Sequence, residues 1–487
     1  MKLLRDILYR VPLVDTLGST NVAISKVCFD SRKVSQQSLF VAVKGTQVDG
    51  HEFIAKAIQE GAQAIICEEL PEQRNDKVTY LKVKNSALAL SLVATNFYDQ
   101  PSEKLQLVGI TGTNGKTTTA TLLFNLFTLL GYKAGLLSTV HIKIGQETLP
   151  ATHTTPDPIY LNECLHKMVE QGVKYCFMEA SSHGIHQERT GGLKFAGAVF
   201  TNISHDHLDY HGTFDNYIKA KKKLFDELPK SAFALTNADE RHGGVMVQNT
   251  KARVHTFGLK TETDFKAKII EHQLNGMLVK LGKHEVWTKL IGTFNAYNLA
   301  AIYGVACLLE QDELQVATAI SSLKSVEGRF QYIRSAEGIT AIVDYAHTPD
   351  ALSNVLKTIR QVRSGNEKVI TVVGCGGNRD ATKRPEMAQI ATELSDQVIF
   401  TSDNPRFEDP EAIIADMETG VEMQFQQKYL SVTNRHQAIK TAVKLAQPQD
   451  IILIAGKGHE KYQIVKDQKL PFDDLAIVHE LLNPQEA

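Results

Sequence analysis

The segment VGITGTNGKTT at 108–118 holds the densest set of residues able to cradle a phosphate. An apolar run enters glycines 109, 112 and 115, then Lys116 and Thr117, then an apolar-striped stretch that reads as a helix. Glycines let backbone N–H groups curl around an anion, and a helix N-terminus adds the positive end of its dipole. In such a loop Lys116 reaches β- and γ-phosphate oxygens, and the Thr117 hydroxyl completes a Mg2+ shell. The strict form of the pattern has glycine at 110, where this chain has Ile110. The strand–loop–helix context still makes nucleotide binding the expectation. Gly374-Cys375-Gly376-Gly377, after VITVV, is a second Gly-rich turn, equally consistent with a structural turn and an anion cradle.

Phosphoryl transfer needs groups that hold Mg2+ and offset developing negative charge. Two segments offer them: FMEASSHG at 177–184 and TNISHDHLDYHGT at 201–213. Ends of parallel strands line the crevice beside such a loop, which makes Glu179 a candidate Mg2+ carboxylate. The cluster His205, Asp206, His207, Asp209 and His211 is too polar for a core segment. YIKAKKKLF, at 217–225, reads on composition alone as the basic face of an amphipathic helix.

These residues need a scaffold, and the chain has the material for one. Its 487 residues suggest roughly three domains. Lys and Arg number 53 against 55 Asp and Glu, a net charge of −2 that argues against a nucleic-acid coat. A hydrophobic fraction of 43% with 22% charged residues excludes wholesale disorder. No apolar run approaches the ~18–20 residues of a membrane span, and the start MKLLRDILYRVPLVD lacks a signal-peptide core. The six cysteines are scattered without a C-x-x-C pair, as inert reduced thiols of a cytoplasmic protein are. The expectation is a cytoplasmic, soluble monomer with small-molecule partners and neither nucleic acid nor membrane insertion.

Strand-like runs are SLFVAV (38–43), AIIC (64–67), LQLVGI (105–110), AGAVFTNI (196–203), ITAIVDYA (339–346), VITVVG (369–374), QVIFTS (397–402) and DIILIAG (450–456). Several are apolar on successive residues, as strands covered on both faces require. Helical patterns fall between them, as in Thr118–Leu130, so the fold class is α/β with parallel sheets. Pro101 in NFYDQPSEK and the change of pattern in EGRFQYIRSAEG suggest boundaries giving domains at 1–100, 101–333 and 334–487.

Taken together, GTNGKTT (112–118), EASSHG (179–184), TNISHDHLDYHGT (201–213), GTFNAYNLAA (292–301), EGRFQ (327–331) and DYAHTPD (344–350) resemble the Mur ligase family. Its members are ATP-dependent amide-forming enzymes that build the peptidoglycan stem peptide. The resemblance implies three α/β domains: an N-terminal UDP-binding domain, a central P-loop ATPase domain with a parallel sheet, and a C-terminal Rossmann-like domain for the incoming amino acid. It implies ATP at Gly112, Thr113, Asn114, Gly115, Lys116, Thr117 and Thr118, with Asn298, Arg329, Asp344 and His347 approaching the nucleotide. Two Mg2+ ions are implied at Thr117, Glu179, His207 and Lys221. Lys221 matches a lysine carbamoylated in the family (N6-carboxylysine), against the compositional reading of its helix. Lys116, Lys221, His207 and Glu179 are thereby the implied catalytic set.

DSRKVSQQSLFVAVKGTQVDGHEF (30–53) resembles the UDP-binding segment of the branch that extends UDP-N-acetylmuramoyl-L-alanyl-D-glutamate, implying contacts from Ser31, Thr46, Gln47 and Val48. Thr154, Thr155, Ser181, Gln187 and Arg189 match its muramoyl-dipeptide contacts; His153 stands where that branch often has Asn. An incoming diamino acid with a distal carboxylate needs a cation, ideally the planar fork of arginine. Asp403-Asn404-Pro405-Arg406 resembles the signature of the branch adding meso-diaminopimelate, with Arg379, Gly456 and Glu460 as further implied contacts. Asn378 stands where Asp is common. The implied reaction passes through an acyl phosphate. The rivals are a lysine-adding sister enzyme, which typically lacks the arginine of Arg406, a folylpolyglutamate synthase, and, from another class, a P-loop nucleotide switch.

Overall fold

The computed structural model describes residues 1–45, 48–151, 153–363 and 365–483. The chain divides into two compact units. The first comprises Met1–Gly112, Leu123–Thr201 and Asp215–Thr256; the second comprises Thr113–Leu122, Asn202–Phe214 and the chain from Phe257 onward.

The first unit holds a two-stranded ladder, Lys2–Leu3 with Ala23–Ile24, and two larger sheets. One has five strands in the order Leu13–Leu17, Thr79–Val83, Ala62–Cys67, Ser38–Val41, Lys26–Cys28, parallel except for the first pairing. The other runs Glu147–Pro150, His141–Ile144, Ala134–Leu137, Tyr175–Glu179, Gln106–Thr111, Gly197–Phe200, Phe233–Asn237, Arg253–Gly258. The strand feeding the phosphate loop is thus flanked in parallel by Tyr175–Glu179 and Gly197–Phe200. Leu107, Val108 and Ile110 are all fully buried, so successive apolar residues face helices on both sides.

The second unit holds an antiparallel ladder, Phe265–Gln273, Gly276–Leu281 and His284–Thr288, beside the helix Thr293–Leu308. Besides the hairpin of Tyr462–Val465 with Gln468–Pro471, it holds a six-stranded sheet: Gln331–Arg334, Thr340–Asp344, Ile451–Ala455, Val369–Val373, Gln397–Phe400 and Tyr429–Ser431. Only the first pairing is antiparallel. Side chains of Pro349–Val362, Lys383–Leu394 and Pro410–Glu418 cover one face, and those of Arg435–Leu445 and Asp474–Leu482 the other. This doubly covered parallel sheet aims the C-terminal ends of five adjacent strands at one edge, where ligands of such sheets bind.

All eight strand-like runs in the sequence are strands, and the apolar stripe after Thr118 belongs to the helix Lys116–Leu129. The described cysteines are all free thiols, and burial pushes those of Cys67 and Cys164 up to about 11. Among the described residues no helix is long and apolar enough to cross a membrane.

Candidate active site

From Thr113 onward the phosphate loop is tied to Asn202 and Ser204 and to Asp350 in the first turn of the helix Pro349–Val362, all within the second unit. Gly115 has a φ of 85°, a left-handed conformation that a Cβ would strain. Lys116 opens the helix and its Nζ donates to the Thr113 carbonyl at 2.8 Å. Asn202 clasps the loop twice: its Oδ1 accepts from the Asn114 N–H at 2.9 Å and its Nδ2 donates to the Asn114 carbonyl at 3.1 Å. Asn114 Nδ2 in turn donates to Asp350 at 2.8 Å. Such cross-bracing holds the backbone curl that anion binding needs.

Arg329 Nη2 donates to the Thr117 hydroxyl at 3.2 Å, and its guanidinium sits 4.5 Å from the Tyr345 ring centroid. Its Nε is buried without a hydrogen-bond partner, a donor arrangement suited to a ligand oxygen. Asn298 accepts from Thr119 at 3.2 Å and is oriented by Asn295. Thr118, one residue earlier, is buried. Asp344 accepts from the Phe330 N–H at 2.6 Å; burial pushes its carboxyl up to about 6, although the Arg329 charge pulls the other way. Burial also holds the His347 imidazole below its ordinary value, helped by the Lys383 charge. His207, exposed and with a φ of 53°, sits beside Asp206. Burial pushes the Asp206 carboxyl up, yet the charges of His207, His347 and Lys383 leave it below the ordinary value.

Glu179 and Lys221 belong to the first unit. Glu179 ends the strand Tyr175–Glu179, is fully buried, and accepts from Thr139 through N–H at 2.7 Å and Oγ1 at 3.2 Å. The Thr139 and Thr154 hydroxyl oxygens also lie 3.0 Å apart. Thr155 Oγ1 donates to the Glu179 carbonyl, and the Ser181 N–H donates back to that hydroxyl. Arg189 spans the Thr155 carbonyl and Gln187 Oε1, both at 2.6 Å. Thr154, Thr155, Ser181, Gln187 and Arg189 therefore form one connected patch. Lys221 is 1% exposed, its Nζ donates to the Gly112 carbonyl at 2.7 Å, and the Tyr217 ring lies 4.6 Å away. The helix Phe214–Asp226 buries Tyr217, Ala220, Lys221, Leu224 and Phe225, so this one lysine departs from the solvated face that composition suggests. Ser31 is buried in a short turn capped by Asp30, and Val48 and His153 are exposed. Thr46 and Gln47 lie outside the described residues.

The third cluster lies where Val369–Val373, Gln397–Phe400 and Ile451–Ala455 end together. Arg406, at a φ of 53°, donates from Nη1 to the Gly377 carbonyl at 2.7 Å. A Cβ on Gly377 would lie 2.0 Å from the Pro405 carbonyl, so glycine is what lets these two loops touch and makes that turn structural. Burial lowers the Arg406 pKa and the nearby Arg379 charge lowers it further, against Asp403 and Glu460. Asn404 donates to Glu460 at 2.8 Å, and the Gly456 N–H donates to the Asp344 carbonyl at 3.1 Å. A cavity of about 1150 Å3 opens beside Arg406, lined also by Phe407, His436, Lys461 and Lys466.

Among the described residues no three His, Cys, Asp or Glu side chains form a metal cage. Mg2+ fits such a protein: it keeps water and substrate phosphate oxygens and takes only one or two protein carboxylates. A hard oxygen donor such as Glu179 suits it.

A Gly-rich loop between a parallel strand and a helix, with a second Rossmann-like sheet, defines an α/β nucleotide-binding protein. Family comparison narrows the class. The Mur ligase family, catalytic domain, matches residues 23–98; the Mur ligase middle domain matches 110–306; and the Mur ligase, glutamate ligase domain, matches 328–458. The chain belongs to the Mur ligase family. It is 55% identical to the UDP-N-acetylmuramoyl-L-alanyl-D-glutamate--2,6-diaminopimelate ligase of Cytophaga hutchinsonii over 99% of both chains. To the ligase of that name from Phocaeicola vulgatus it is 53% identical, over 98% of this chain and 99% of the relative. A solved structure of a ligase of the same name superposes with a TM-score of 0.69 at 33% identity, covering 95% of this chain and 96% of that one.

Sequence reasoning did not single out Thr139, Asn202, Asp350 or Lys457. Asn202 and Asp350 stand inside quoted motifs, and Lys457 lies between Gly456 and Glu460, so the motifs carried them. Thr139 left no signal: its contact with Glu179 exists only once two strand ends are side by side.

Proposed function

We propose that the chain adds meso-2,6-diaminopimelate to the D-glutamyl γ-carboxylate of UDP-N-acetylmuramoyl-L-alanyl-D-glutamate in peptidoglycan synthesis, consuming ATP. The observation that carries this reading is Arg406 beside Arg379. The two guanidinium charges repel, Arg406 in a half-buried setting, and an anion that bridges them relieves the repulsion. A distal carboxylate on the incoming amino acid is that anion, and a bare lysine side chain is not.

The γ-carboxylate attacks the γ-phosphorus of ATP, ADP leaves, and an acyl phosphate forms. The amine of diaminopimelate then adds to the acyl carbonyl, and inorganic phosphate and a proton leave. Gly112, Thr113, Asn114, Gly115, Thr117 and Thr118 bind the phosphates through backbone and hydroxyl donors. Lys116 offsets charge on the transferring group. Asn298, Arg329, Asp344 and His347 orient the nucleotide. Thr154, Thr155, Ser181, Gln187 and Arg189 bind the muramoyl dipeptide, with Ser31, Thr46, Gln47 and Val48 on the UDP end. Asp403, Asn404, Pro405, Gly456 and Glu460 take the amino acid together with Arg379 and Arg406.

Mg2+, two ions, supplies neutralisation of the phosphate and carboxylate oxygens when bound. Thr117, Glu179, His207 and Lys221 would hold it, Lys221 as a carbamate formed from the neutral amine and carbon dioxide with release of a proton. The burial of Lys221 against the Gly112 carbonyl supports that reading, since it sets the nitrogen at the phosphate loop rather than in solvent. The protein works as a cytoplasmic monomer with domains at 1–100, 101–333 and 334–487.

The test uses a muramoyl dipeptide with 18O in the γ-carboxylate. An acyl phosphate transfers one 18O to inorganic phosphate as the tripeptide forms; phosphate without label, or no tripeptide, refutes the reading.

A further inference from the structure

Lys457 is 0% exposed, which is rare for a lysine. It follows the strand Ile451–Ala455, whose last carbonyl accepts from Arg435 Nη2 at 3.0 Å; Arg435 is itself forked onto buried Asp474. The turn that carries Lys457 is therefore held from beneath. An apolar side chain of the same length would fill the space without desolvating a charge, so packing alone does not call for lysine here.

Its Nζ donates to Asn404 Oδ1 at 3.0 Å and to Glu460 Oε2 at 3.2 Å. Asn404 Nδ2 closes the triangle by donating to the same Glu460 oxygen at 2.8 Å. The Ile464 N–H also donates to Asn404 Oδ1, at 2.9 Å. Two donors on one side oblige the carbonyl oxygen of Asn404 to face Lys457 and its amide nitrogen to face Glu460. Lys457 thus sets the orientation of Asn404 and one oxygen of Glu460. Of the three, Glu460 is the member whose side chain reaches solvent, at 15% exposure.

We propose that Lys457 is a positioning residue that presets Glu460, directly and through Asn404, to receive the ammonium end of the incoming diamino acid. The inference rests on the amino-acid site assigned above. Lys457 touches no substrate; it acts through Glu460, which does. The assignment explains why a buried charge is kept in a turn that an apolar residue would fill.

The experiment is steady-state kinetics on the full chain and on K457M, E460Q and the double variant, varying ATP, the muramoyl dipeptide and meso-diaminopimelate in turn. K457M is expected to raise KM for diaminopimelate about tenfold or more, as loss of one charge-assisted hydrogen bond does, while KM for ATP stays within about twofold. In the E460Q background the same change is expected to add little, because the route through Glu460 is already lost. Equal changes in all three KM values, or full additivity with E460Q, overturns the inference. If K457M does not fold, K457Q keeps a donor for Asn404 without the charge and is read by the same criteria. Absence of turnover with diaminopimelate in the unaltered chain is a different failure, that of the site assignment itself.

Discussion

Lys221 Nζ donates to the Gly112 carbonyl at 2.7 Å, joining a buried amine to the first residue of the phosphate loop across 109 positions of chain. A lysine this deep is unusual on a helix whose neighbours Lys222 and Lys223 pair with Asp226 and Glu188. A carboxylate built on its nitrogen would put negative charge at the loop, where a divalent cation can use it.

Lys221→Ala is therefore expected to lower kcat by about a hundredfold or more, the scale of one electrostatic group at a reacting centre. Short-chain carboxylic acids should restore part of the activity by standing in for the carbamate. Titration of the variant with formate, acetate and propionate checks this, and no rescue by any of them counts against the carbamate.

Arg406→Ala should raise KM for diaminopimelate about a hundredfold, equivalent to ~3 kcal/mol for a lost charged pair, with ATP binding little changed. Arg406→Lys should recover only part, because a point charge cannot reproduce the planar fork. Product formation at varied amino-acid concentration is the measurement, and an unchanged KM in Arg406→Ala contradicts the assignment.

Asp344 gives a pH signature. Its carboxyl rises from the ordinary 3.8 to about 6 on folding, chiefly by burial. Between those values the folded chain keeps a proton that the unfolded chain has released, so stability falls as pH rises through the window. The contribution is fully present below about pH 4 and lost above about pH 6, and is on the order of 3 kcal/mol at most. Asp344→Asn removes it. Denaturant unfolding at pH 4 and pH 6.5 should show the variant gaining on the unaltered chain as pH rises; a constant difference would contradict the burial argument.

The parallel strands were legible because both faces are covered, which leaves successive apolar residues such as Val369–Val373 with no polar alternation to blur them. Glu179 was legible for a related reason, since a lone acid closing an apolar run has to face a crevice, whereas Asp344 was reached only through the family resemblance of DYAHTPD. Lys221 could be read as buried only from its place on the Tyr217, Ala220, Leu224 stripe, and its charged neighbours masked that position. Lys457 and Asn202 were hidden differently. Their partners lie 53 and 88 residues away, and such pairings exist only after the sheets have set their strand order.

Arg435 and Asp474 form a fully buried ion pair at 2.7 Å. Removing one partner leaves an uncompensated charge in the core, so Asp474→Asn should cost about 3–5 kcal/mol. Calorimetry on the variant reads the loss, and a change below about 1 kcal/mol would show the pair to be dispensable.

The central claim is tested most directly by phosphate release with ATP, Mg2+ and UDP-N-acetylmuramoyl-L-alanyl-D-glutamate, comparing meso-diaminopimelate with L-lysine and weighing the product by mass spectrometry. The account predicts release and a tripeptide of matching mass with meso-diaminopimelate only. Turnover with lysine alone would contradict the role of Arg406, and no turnover with either would contradict the ligase itself.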